Sequence, residues 1–361
     1  MRRWRATRAR AAALAGLALL VALFLLFERA AVATPAPSAP PPAAEAPALA
    51  VHFSDPESAT ALRLRGGPDA ALVEAIDAAE HTLDVAVYSL NLWSVRDALL
   101  RAGERGVAVR LVLESDNRTA PEVLALERAG IPLRGDERQG LMHHKFVVID
   151  GRQVWMGSMN LTVGSAYHDD NHLLRLDSPE AAALFTREFE EMFVDDRFGA
   201  LSRPDPTPRP RPMGAGWVEV WFSPDHPVED RLVELVRGAH HSVGVLAFAF
   251  TSDRLGRALI DAAGAGVQVR AVVEAGQAGA AGAEFERLRR AGLDIHLDGN
   301  PSNMHHKLIL IDGAVAVVGS YNFTRSAAQY NDESLLILSD PQIVQALVEE
   351  FERVYALAAP D

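Results

Sequence analysis

One stretch of this chain occurs twice. Met142 to Thr162, MHHKFVVIDGRQVWMGSMNLT, returns as Met304 to Thr324, MHHKLILIDGAVAVVGSYNFT. Aligned without a gap, the copies share His143/His305, Lys145/Lys307, Asp150/Asp312, Gly157/Gly319, Ser158/Ser320, Asn160/Asn322 and Thr162/Thr324. A single His-x-Lys triplet arises by chance in many chains. Two long copies agreeing at these polar and glycine positions mark a duplicated site, and they demand a fold that is built twice.

Each copy reads as a β-hairpin. The apolar run from His143 to Asp150 meets Asp150-Gly151 and a second run, Gln153 to Met156, the pattern of two strands joined by a tight turn. Strand side chains alternate faces, so His143 and Lys145 share one face while His144 points to the other. Ser158 and Asn160 share a face if the second strand stays extended. An imidazole, an ammonium, a hydroxyl and a carboxamide gathered in this way suit a phosphate: lysine neutralises charge, Asn and Ser donate, and histidine attacks or transfers a proton. Asp150 and Asp312, at the hairpin tips, read as turn-making or ion-pairing residues with a structural role.

Around the motif the two halves run in parallel. The first opens with Val51-His52-Phe53-Ser54 and the second with Val220-Trp221-Phe222-Ser223. Amphipathic helical segments then alternate with apolar strands, Leu83 to Ser89 and Val107 to Glu114 in one half, Val243 to Phe250 and Val267 to Glu274 in the other. The near-continuous apolar character of these strands implies burial on both faces. The alternation predicts an α/β fold, a mostly parallel sheet in each half covered by helices, with the motif hairpin adding mixed strands. The predicted organisation is a leader over 1–33, a linker over 34–50, a first half over 51–201, a connector over 202–216 and a second half over 217–361. Five prolines in the connector, SRPDPTPRPRPMGAG, argue against regular structure there.

The amino terminus predicts export. Five arginines in the first ten residues precede an unbroken apolar run from Ala11 to Phe27, the layout of a signal peptide or signal anchor, and Ala31-Val32-Ala33 offers a small-x-small cleavage site. The Pro/Ala-rich stretch that follows cannot bury a core and reads as an extended spacer. Removing residues 1–33 takes the formal net charge from −13 to −18, so the body is acidic, which opposes counterion-driven binding of nucleic acid. The chain has no cysteine, which excludes disulfides, thiol catalysis and cysteine-based zinc sites.

The pattern His-x-Lys, four residues, Asp, six residues, Gly-Ser-x-Asn fits both copies, and it resembles the phospholipase D superfamily. The resemblance runs from about Val51 to the end. It implies two similar α/β sandwich halves around a pseudo-two-fold axis, both His-Lys-Asn sets in one shared cleft, and phosphodiester cleavage with no metal and no cofactor. One histidine attacks phosphorus to form a phosphohistidine and the other protonates the leaving alcohol, then activates water or an acceptor alcohol. The family's habit assigns attack to His143 and acid catalysis to His305, with Lys145, Lys307, Asn160 and Asn322 holding phosphate oxygens. Ser158, Ser320 and Asn171 are expected to help bind substrate. The family also carries an acidic residue that orients each histidine. The second half supplies Glu333, whereas the first half has Asn171 at the matching place. Taken to serve its own half, Asn171 would accompany a neutral nucleophile and Glu333 a charged acid.

His144 and His306 read as packing or surface residues, and His168 and His172 as scattered. The preferred function is an exported, envelope-tethered or secreted monomer that hydrolyses or transfers phospholipid head groups at a membrane surface. The alternative is an endonuclease of the same superfamily, for which Arg118, Arg134, Arg138 and Arg152 could line a basic cleft. A cardiolipin-synthase-like phosphatidyltransferase comes third. A catalytically dead binding protein is disfavoured, since all six His, Lys and Asn positions are filled.

Overall fold

A computed structural model describes residues 48–138 and 140–358. The arginine-flanked apolar segment and nearly all of the spacer lie outside these residues. The first half runs β1 (Leu49–Phe53), α1 (Asp69–Asp77), β2 (Thr82–Val87), α2 (Trp93–Glu104), β3 (Ala108–Leu113), α3 (Pro121–Arg128), β4 (Leu133–Gly135), β5 (Lys145–Ile149), β6 (Gln153–Gly157), α4 (Val163–Tyr167), β7 (His172–Asp177) and α5 (Pro179–Phe193). The second runs β8 (Arg211–Met213), β9 (Gly216–Ser223), α6 (Val228–Arg237), β10 (Ser242–Ala247), α7 (Asp253–Gly264), β11 (Gln268–Val273), α8 (Phe285–Arg290), β12 (Asp294–Leu297), β13 (Lys307–Ile311), β14 (Val315–Gly319), α9 (Arg325–Gln329), β15 (Glu333–Leu338) and α10 (Pro341–Ala358).

The halves build matching sheets, in the order β1-β7-β6-β5-β2-β3-β4 and β12-β11-β10-β13-β14-β15-β9-β8. Only β2-β3-β4 and β10-β11-β12 are parallel, and every other neighbour is antiparallel. The expectation of a mostly parallel sheet is therefore corrected to a mixed one. The motif hairpin sits mid-sheet, antiparallel to β2 or β10, and the strand that follows it extends the antiparallel run. Two further boundaries move. Leu49 and Ala50, placed in the spacer by composition, open β1 against Leu176 and Arg175. In the connector, Arg211 to Met213 pairs with β9 as an edge strand, where Pro212 is tolerated because its missing N–H faces no partner.

Helices α1, α2 and α3 cover the outer face of the first sheet and α6, α7 and α8 that of the second, each over its own apolar cluster. Between the sheets lies a third cluster contributed by both halves, including Phe146, Leu174 and Phe185 from one and Phe222, Leu308 and Phe351 from the other. Each such side chain stabilises by about 1.5–3 kcal/mol when fully buried, so the halves are held to one another by a true core rather than a rim contact.

The hairpin tips are built alike. Asp150 and Gly151 have φ of 53° and 59°, and Asp312 and Gly313 have 53° and 61°, the positive values that a tight two-residue turn requires. The motif glycine answers to packing: a Cβ on Gly157 would run into the carbonyl oxygen of His172 on β7.

Candidate active site

His143 and His305 each sit one residue pair ahead of their strand, and both are 7% exposed. The elements that place them come from opposite halves. The His143 N–H donates to Asp332 O at 3.0 Å and the His305 N–H to Asp170 O at 2.9 Å. The side chains cross in the same way. His143 Nδ1 lies 2.8 Å from Glu333 Oε2, and His305 Nδ1 lies 2.9 Å from Asn171 Oδ1. This corrects the expectation that each residue serves the histidine of its own half. The pairing is reciprocal, so the carboxylate belongs to His143 and the amide to His305.

Ser158 and Ser320 also depart from expectation. Both are fully buried, and their hydroxyls donate to Asn171 Oδ1 at 2.9 Å and to Glu333 Oε2 at 2.6 Å. Each accepts in return from a backbone N–H, of His172 or Ser334, at 3.0 Å. They position the histidine partners and have no exposed surface for a substrate. Asn171, equally buried, is a positioning residue for the same reason. Strand β6 ends at Gly157, so the strand alternation that would put Ser158 and Asn160 on one face does not extend to them.

Lys145 and Lys307 are buried under aromatic rings, with Nζ 5.3 Å from the ring centre of Tyr88 and 4.7 Å from that of Phe248. Each donates to the carbonyl of its own motif histidine, at 2.8 and 2.7 Å. The same two rings stand edge-on to His143 and His305, at 5.0 and 4.6 Å. Asn160 and Asn322 match even in their open valences, since Oδ1 of each is buried without a hydrogen-bond partner.

Electrostatically, the site is short of negative charge. Burial pulls Lys145 down to about 7, against the opposing pull of Glu333, and burial with the nearby Lys145 pulls Lys307 well below its ordinary value. Burial brings His143 to about 4 although Glu333 favours its charged form. Glu333 is held ionised: burial opposes this, but His143, Lys145 and the Ser320 hydroxyl outweigh it. Both lysines are thus held below their ordinary values by burial, and a bound anion would favour their charged forms.

Asp150 accepts from the N–H groups of Glu80, His81 and Thr82 at 2.7–3.0 Å, and Asp312 accepts from those of His240, His241 and Ser242 at 2.7–3.2 Å. Both tie the hairpin tip to the turn before the central strand, at the far end of the hairpin from the histidines. His144 and His306 are not surface residues. They point into the inter-sheet core, with Nε2 3.0 Å from Glu188 and 2.8 Å from Glu350, and His172 stacks on His306 from the other half. Among the described residues no group of His, Asp or Glu side chains is arranged to hold a metal ion, and no helix is long and apolar enough to cross a membrane. Of the four arginines offered for a basic cleft, Arg118 is bonded to Glu127 at 2.8 Å, while Arg134 and Arg138 lie 3.4 and 3.7 Å from Asp196. Arg152 sits at the hairpin tip.

Sequence reasoning passed over Glu188 and Glu350, although both lie 44 residues beyond the second histidine of the motif, so the alignment extended past Thr162 would have paired them. It also passed over Glu114 and Glu274, which directly follow the corresponding strands β3 and β11 and accept from Met142 N and Met304 N at 2.9 and 2.8 Å.

The family model described as "Cardiolipin synthase, PLD-like domain" matches residues 72–193 and again 232–355. The chain belongs to this phospholipase D-like family, with one domain in each half. Among curated relatives, it is 38% identical over 125 residues to the mitochondrial cardiolipin hydrolase of Homo sapiens, covering 35% of this chain and 50% of that protein. It is 25% identical over 134 residues to a phospholipase D of Rickettsia bellii, covering 37% of this chain and 67% of the relative. The matched region thus spans about half the length of the hydrolase. Among solved structures, phosphatidylserine synthase of Haemophilus influenzae superposes with a TM-score of 0.63 at 14% identity, covering 85% of this chain and 86% of that one, a likeness of fold.

Proposed function

We propose that this chain is a phosphodiesterase of the phospholipase D type that acts on phospholipid head groups, with His143 as nucleophile and His305 as acid and then base. The crossed pairing of the two histidines carries this reading. When His143 Nε2 bonds to phosphorus, its ring keeps the proton on Nδ1 and becomes cationic, and the Glu333 carboxylate 2.8 Å away stabilises that charge. His305 must start the hydrolytic step neutral to take a proton from water, and its partner Asn171 carries no charge. Lys145, Lys307, Asn160 and Asn322 are the groups available for the non-bridging oxygens, in a cleft that gains charge stabilisation from an anion. Nucleophile, acid and anion-holding charges are all side chains, so the chemistry calls for no metal.

Lipid is preferred to nucleic acid on electrostatic grounds. The body is acidic, and three of the four arginines near the first motif are already paired with acids. The relatives named as cardiolipin hydrolase and phospholipase D support the same choice. Export, with the amino-terminal segment cleaved or kept as a tether, is the setting that the arginine-flanked apolar run suggests. The test is to incubate the purified full chain with excess EDTA and labelled phosphatidylcholine, phosphatidylglycerol, cardiolipin or single-stranded DNA. Head-group release from at least one lipid is the expected result. Cleavage of DNA with no lipid turnover would reverse the choice of substrate, and activity that returns only with added metal would overturn the metal-free chemistry.

A further inference from the structure

After the motif, the two halves carry the same pair of side-chain types in opposite order. Half two has its amide first and its carboxylate second, Asn331 then Glu333, whereas half one has Asp169 then Asn171. The second member of each pair reaches across to the other half's histidine. The first member is used elsewhere. Asp169 accepts from Ser302 Oγ at 2.7 Å and Asn303 Nδ2 at 2.8 Å, while Asn331 Oδ1 accepts from Leu141 N at 3.2 Å. Half one thus keeps a carboxylate against the loop before His305 but withholds it from the imidazole.

The amide's orientation is fixed. Asn171 Nδ2 donates to Ser165 O at 3.0 Å, which turns Oδ1 towards His305 Nδ1 and the Ser158 hydroxyl. A carbonyl oxygen accepts only, so His305 carries its resting proton on Nδ1 and leaves a lone pair on Nε2. Among the described residues, the side-chain hydrogen bond of the ring goes to the uncharged Asn171 and no ion pair reaches it. Phe248, at the end of β10, stands edge-on, Lys307 comes from β13, and Lys145 and His143 come from the first half. The carboxylates nearby are committed elsewhere: Glu333 to His143 and Ser320, Glu274 to Met304 N, and Asp169 to Ser302 and Asn303. Burial and the surrounding Lys307, Lys145, His143 and His306 hold the imidazole well below its ordinary value.

We propose that Asn171 is a positioning residue that leaves His305 without a carboxylate partner, so that release of strongly basic alkyl leaving groups is confined to the acid side of neutrality while weakly basic ones depart across the range. The inference rests on the two-histidine reading above. In the first step the P–O bond to the leaving group breaks as His143 Nε2 bonds to phosphorus, and the electron pair goes to the leaving oxygen. An alkoxide needs the proton of a cationic His305 Nε2–H, whereas a nitrophenolate does not. In the second step water attacks phosphorus, its proton goes to neutral His305 Nε2, and the P–N bond breaks to restore His143. The amide at 171 favours the second step at the expense of the first.

Phosphatidylcholine and phosphatidyl-p-nitrophenol in the same mixed micelles supply the test. Between about pH 5 and 8, kcat/KM for the choline ester should fall about tenfold per pH unit relative to the nitrophenyl ester, as the cationic form of His305 is lost. The charge-conserving exchange Asp169→Asn with Asn171→Asp should raise the choline-to-nitrophenyl ratio at about pH 7.5 by tenfold or more. A ratio independent of pH in the natural protein, or unmoved by the exchange in a folded variant, overturns the proposal. If the exchanged protein does not fold, the natural protein's pH dependence decides alone. If neither ester is turned over, the two-histidine reading fails. Ring-carbon NMR of labelled histidines, with the His305 signal assigned through His305→Gln, then decides the inference. A neutral His305 at about pH 6 upholds it and a cationic one sinks it.

Discussion

His143 and His305 differ in what holds their Nδ1, and a trapped intermediate should show it. With a nitrophenyl phosphodiester pulse, rapid quenching and mass spectrometry, His143→Ala should yield no phosphoryl adduct. His305→Ala should accumulate one on His143, because nitrophenolate leaves unaided while the base for the water step is missing. An adduct on His305 in the His143 variant would invert the roles. The lysines give a second prediction. Lys145 has its folded value lowered to about 7 from 10.5, so its charge in the free cleft is present below that value and lost above it. Diethyl phosphate, a monoanion throughout, should therefore raise the Tm more at about pH 6 than at pH 9. By the same sign, the free protein should gain stability as pH rises from about 7 towards 10, because the unfolded chain binds a proton that the folded one does not. Equal shifts at both pH values would contradict a depressed lysine in the anion site. The identity of the His and Lys residues was legible in the repeat. Their partners were not, since an alignment matches Asn171 with Glu333 along the chain and is silent on which half's ring each one touches. The serines were misread for a related reason, because burial at 158 and 320 depends on where β6 and β14 end.

Among elements, the motif hairpin is the best-specified piece. Alternation, the Asp-Gly turn and the apolar runs placed β5, β6, β13 and β14 nearly to the residue. Strand direction was less legible: an apolar run reads the same either way, and nothing local shows that the hairpin enters the middle of the sheet. The tip aspartate provides a separate prediction. Asp150→Ala strands three N–H groups of the turn before β2, at partial exposure, and should cost about 1–3 kcal/mol in urea unfolding. Turnover per folded molecule should stay within about twofold, because the tip is remote from His143 at the other end of β5. Loss of turnover in a fully folded variant would give the aspartate a part in the chemistry. The edge strand β8 escaped notice since proline-rich composition argues against strands everywhere except at an edge.

At the scale of the molecule, duplication announced two like halves, but their mutual dependence required the core between the sheets to be seen. A fragment ending at Arg203 lacks Glu333 and exposes Phe146, Leu174 and Phe185, which the second half covers. At concentrations that keep it monomeric it should show no turnover, and adding a fragment from about Pro204 onward should restore some. Full activity of the monomeric first fragment would contradict a shared site. The order of synthesis gives the crossed bonds a further meaning. The ribosome makes His143 190 residues before Glu333, the carboxylate that holds it. A growing chain therefore carries His143 long before the carboxylate that orients it exists, and on the two-histidine reading the site becomes competent only as translation nears its end.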